Sequence, residues 1–136
     1  MKLFVCLIGM CLSYCLGSAQ VIYDAHRNVM VTVMPDSSVQ NASKVVSGYF
    51  RANGNIENSY NTLLGSLKKN GTVLDDRFAP VGYIKKDGSV QDSRYSTIGY
   101  VTKDGTVENS HHVAIGYAKG IKMEWAALIF FFFRLN

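Results

Sequence analysis

The chain has 136 residues, 48% of them apolar, and a formal charge of +4 at pH 7 that falls to +3 without Lys2. That is enough for one domain around one core, and it excludes a generally disordered chain. Basic and acidic residues alternate along the sequence, which speaks against a nucleic-acid partner.

Residues 1–19 read as a secretory signal peptide: Lys2, an apolar stretch from Leu3 to Leu16, then Gly17-Ser18-Ala19. The stretch is short for a transmembrane anchor and breaks at small residues, so the mature chain is expected to begin at Gln20 as a single domain, 20–136, in the periplasm or outside the cell. Cys6, Cys11 and Cys15 all lie in this segment, leaving a mature chain without cysteine or disulfide. Met10 and Tyr14 precede two of them where a lipidation signal has a small residue.

Gln20 to Met30 is expected to supply a first strand, with a turn over Asp24-Ala25-His26-Arg27-Asn28. From there the chain repeats itself. Gly48, Gly65, Gly82, Gly99 and Gly116 are spaced by 17 residues, and a glycine-free copy starts at Val31. Units therefore begin near 31, 48, 65, 82 and 99, with a closing segment over 116–136. Asn53-Gly54, Asn70-Gly71, Asp87-Gly88 and Asp104-Gly105 are hairpin turn signals flanked by β-branched and aromatic residues. A two-residue turn would set Lys85 against Val90, polar against apolar. A three-residue loop with its glycine at positive φ pairs Ile84 with Val90 instead, and likewise Phe50 with Ile56, Leu67 with Val73, Val101 with Val107 and Val33 with Val39. These pairs form the predicted core face. Leu64, Val81, Ile98 and Ile115 are expected on the opposite face with the tyrosines, while the leading glycines share the core face and let the strands crowd near an axis. The run Trp125 to Leu135 is expected to be a buried closing strand, since its eight consecutive apolar residues, Ala126 to Phe133, are too few to span a bilayer as a helix.

The units GYIKKDGSVQDS and GYVTKDGTVENS, the final GYAKG and the aromatic tail resemble the five-fold β-flower proteins, small exported bacterial proteins, over about residues 21–136. The resemblance implies an all-β fold of repeated hairpins set as petals around a pseudo-five-fold axis and closed by the C-terminal strand. It implies no activity and no catalytic residues. The glycine-free first unit and Ser66, standing where other units have tyrosine, depart from the pattern.

Tyr49, Tyr83, Tyr100 and Tyr117 recur at one repeat position and are the candidate ligand-binding residues, as an aromatic array that stacks on sugars or as packing between petals. His111-His112 breaks the repeat, but neighbours on a strand point to opposite faces and do not readily share one ion. There is no nucleophile elbow, P-loop or zinc-ligand set, and no cofactor is expected. The expected function is an exported, non-catalytic structural or ligand-binding module whose partner is a glycan or another cell-envelope component. The alternatives are a small hydrolase or metal-dependent enzyme using His111 or His112, and a membrane-associated or self-assembling protein using Phe130 to Phe133.

Overall fold

The computed structural model describes residues 19–136; residues 1–18 of the expected signal peptide, with all three cysteines, lie outside them. Twelve antiparallel strands close into a ring. They are β1 (Gln20–Asp24), β2 (Val29–Val33), β3 (Ser38–Asn41), β4 (Val46–Phe50), β5 (Asn55–Asn58), β6 (Leu63–Leu67), β7 (Thr72–Asp75), β8 (Pro80–Ile84), β9 (Ser89–Asp92), β10 (Thr97–Val101), β11 (Thr106–Asn109) and β12 (Ala114–Tyr117). Each strand pairs with its chain neighbours, and β12 closes the circle on β1 through Tyr23–Tyr117 and Asp24–Gly116. No sheet edge is left open.

The glycine turns have the expected register. Ile84 faces Val90 and Tyr83 faces Gln91, and the same offset recurs for Phe50–Ile56, Leu67–Val73, Val101–Val107 and Val33–Val39. At the Lys85–Ser89 loop the Lys85 amide donates to the Ser89 carbonyl at 2.8 Å and the Gly88 amide to the Lys85 carbonyl at 3.0 Å. Gly88 has φ +92°. Its carbonyl also accepts the Val101 amide of the next hairpin at 2.8 Å, so this turn joins petals as well as strands.

Two expectations are corrected. The first concerns Leu64, Val81, Ile98 and Ile115. Each is the extra residue of a β-bulge: Val90 pairs with Gly99 and Gln91 with Thr97, leaving Ile98 unopposed, and the other units repeat the shift. The bulge turns these side chains inward, where they pack on the core cluster and not beside the tyrosines.

The second concerns the tail, which is not a strand. Helix α1 (Met123–Ala127) continues into a π-helical turn, Leu128–Phe132, with the Phe133 amide donating to the Leu128 carbonyl at 2.8 Å. This segment fills the axis of the ring. A Cβ added to Gly116 would collide with the ring of Phe130, one at Gly99 with Phe131, one at Gly82 with Phe132, one at Gly65 with Phe133 and one at Gly48 with Leu135. Successive tail side chains thus occupy successive petals in reverse chain order. An α-helix turns about 100° per residue, too much for neighbouring petals, and i→i+5 bonding winds the chain less tightly. The glycine-free unit completes the ring differently, because Val31 is fully buried and its own side chain takes the place of a tail residue. At the upper mouth Trp125 stacks on Phe50, with centroids 4.9 Å apart.

Gly88→Val forces a branched residue to positive φ and drives its Cβ into the Val101 carbonyl oxygen. It should cost at least about 1–2 kcal/mol, read as a lower thermal midpoint. An unchanged melt would mean that the loop is not built this way.

Candidate functional site

Strand alternation sends the glycine turns to one end of the ring and a second set of turns to the other. The second set begins at Asp24, Asn41, Asn58, Asp75, Asp92 and Asn109, again 17 residues apart. In each, the Oδ1 atom accepts the amides two and four residues on; for Asp75 these are Arg77 at 2.8 Å and Ala79 at 2.9 Å. This brace lets a residue other than glycine adopt positive φ three positions along: Arg27, Lys44, Asn61, Phe78, Tyr95 and His112. The Asx spacing was available in the sequence, and the hairpin reading passed over it.

Those residues lie over the outer wall of the ring, where the predicted tyrosines stand. Tyr95 stacks on Tyr83 at 4.7 Å between centroids, with their hydroxyls 3.2 Å apart, and this hydrogen bond raises the Tyr83 phenol above its ordinary pKa. His112 stacks on Tyr100 at 4.3 Å. The Arg27 guanidinium covers Tyr117 at 4.2 Å and that of Arg51 covers Tyr49 at 4.4 Å. All four tyrosines are therefore half-buried, each with a partner on one ring face. His111 and His112 sit in a turn, not on a strand as expected. His112 is held by Tyr100 and by Glu108, 3.1 Å from its Nδ1. Among the described residues no group of three metal-ligating side chains converges.

The row breaks at two petals, at Thr32 in the glycine-free unit and at Ser66. Ser66 pairs with Asn55 on one side and Leu74 on the other, and Phe78, the residue that would stack on a tyrosine there, has no ring beneath it and is 63% exposed. The missing ring leaves an open groove of about 920 Å³ along the wall. Phe78, Pro80 and Leu74 supply its apolar surface, Asn53, Asn55, Ser66 and Thr72 neutral polar groups, and Lys68 and Lys69 two positive charges. An aromatic face beside amides, hydroxyls and two lysines suits a hydroxyl-rich ligand, including one that carries negative charge.

The backbone N–H groups of Asn28 and His26 hold the Asp24 carboxyl below its usual pKa, and those of Ala79 and Arg77 do the same for Asp75. A carboxylate with a lowered folded pKa stabilises the fold above its unfolded value, about 3.9, and loses that contribution as pH falls through the folded one. Thermal stability should therefore hold from neutral pH to about pH 4 and drop below it. Asn already braces three of the six turns, so Asp24→Asn with Asp75→Asn should fold normally and show a shallower acid drop. The same drop in both proteins would disprove this source of acid sensitivity.

No curated protein matches the chain. The model of one family, described as 5-fold beta-flower protein, matches residues 19–134. With its glycine-spaced hairpins closed into a ring around an aromatic axis, the chain belongs to the five-fold β-flower protein family.

Proposed function

We infer that the protein is an exported, non-catalytic binding module, and that its ligand is a glycan of the cell envelope seated in the groove at Ser66. The export signal expected at residues 1–19 supports the location. The observation that carries the ligand is the broken tyrosine row: where the repeat supplies a small serine, an aromatic side chain stands exposed over a groove lined by amides, hydroxyls and two lysines. A sugar ring would lie on Phe78, with Asn55, Ser66 and Thr72 meeting its hydroxyls. The repeat's own chemistry argues for binding over catalysis, since its recurring carboxylates brace turns through hydrogen bonds.

Ser66→Tyr restores the residue that four other petals carry, so it should fold while filling the groove. Against an oligosaccharide selected from a glycan array with the Gln20–Asn136 protein, Ser66→Tyr and Phe78→Ala should each weaken binding at least tenfold with little change in melting. No glycan bound at millimolar concentration, or wild-type affinity in both variants, would refute the assignment.

A further inference from the structure

The two ends of the ring differ in charge, although the sequence mixes its charges evenly. The six Asx turns carry four basic and four acidic side chains, setting histidines aside. The glycine turns, with the 118–122 loop and α1, carry eight basic against four acidic. The repeat produces this, because basic residues three or four places after each leading glycine, Arg51 after Gly48 and lysines after the other four, all arrive at the same end. Three of the acidic groups there, Asp36, Asp87 and Asp104, are tied into their own turns by hydrogen bonds. By contrast Lys68, Lys69, Lys85, Lys86, Lys103 and Lys119 are exposed and make no ion pair among the described residues.

The lysines flank connected clefts. One, of about 490 Å³, runs between Lys68, Lys69, Lys85, Lys86 and Lys122 beside the start of α1. The next, of about 320 Å³, lies between Lys86, Lys103 and Lys119. Lys86 lines both, so the positive surface continues from petal to petal. Every large apolar side chain exposed among the described residues belongs to an Asx turn or borders one: Tyr23, Val29, Val45, Tyr60, Phe78, Tyr95 and Val113. The basic end therefore presents the half-buried Ile121, Met123 and Trp125 but no fully exposed large apolar side chain of the kind that a membrane-docking face generally inserts.

We propose that the glycine-turn end binds a linear polyanion, a polymer bearing phosphate, sulfate or carboxylate groups, laid along the lysine clefts. Binding of this kind displaces counterions and weakens steeply as salt rises. Linear polyphosphate is the probe, followed by fluorescence anisotropy at low and at physiological salt. Lys85→Glu with Lys86→Glu should lower affinity at least tenfold, while Arg77→Glu with Arg94→Glu, which changes net charge equally at the opposite end, should leave it within about twofold. Both pairs lie on exposed turns, and thermal melts confirm that each variant is folded. Lys68 and Lys69 border both the first cleft and the Ser66 groove, but Lys85 and Lys86 lie outside the groove, so loss of polyphosphate binding in that pair with glycan binding retained separates the two sites. The proposal is overturned by absence of polyphosphate binding, by equal loss in both variants, or by sedimentation with phosphatidylglycerol vesicles in place of polymer binding.

Discussion

The fit between five glycines and five tail side chains organises the whole molecule. Gly48, Gly65, Gly82, Gly99 and Gly116 are where the strand wall thins enough to admit a ring or a leucine from the axis. The strands alone enclose a channel, and their short hairpins are marginal in isolation. The tail supplies the common core that all the petals share, and the buried aliphatic pairs close around it. The constraint also reaches back into the tail, whose π-helical winding follows from presenting one side chain to each petal in turn.

Symmetry in this ring is structural, and the places where it fails carry the chemical interest. Val31 replaces a glycine and fills its own share of the axis, so that departure serves the core. Ser66, itself buried, replaces a tyrosine on the outer wall, and Phe78 is left exposed beside the groove. The intact tyrosines, in contrast, are each covered by a side chain from a neighbouring turn or strand. An array that the sequence allowed as sugar platforms or as packing is mostly covered by the protein itself.

Much of the wall was readable from the amino acids, because strand periodicity is unforgiving. Only one register pairs Ile84 with Val90, and a slip of one residue reverses the faces. The same sensitivity caused the error at Leu64, Val81, Ile98 and Ile115: one inserted bulge residue shifts a face, and no residue type announces the bulge. The tail was misread for another reason. An unbroken apolar run has no periodicity to separate a buried strand from a buried helix, and its partners are glycines, which leave no pattern of their own. Ser66 was visible as a departure, but the groove depends on its neighbours Asn55 and Leu74 across the sheet and on Phe78, brought over the wall by a braced turn.

Thermal unfolding of a chain ending at Ala127, compared with the full-length protein, tests the axial tail most directly. The shortened chain keeps every strand and α1 but loses Leu128 through Asn136. The structure predicts loss of the cooperative transition, with the hairpins unable to hold the ring around an empty axis. A cooperative melt within a few degrees of the full-length protein would contradict that dependence.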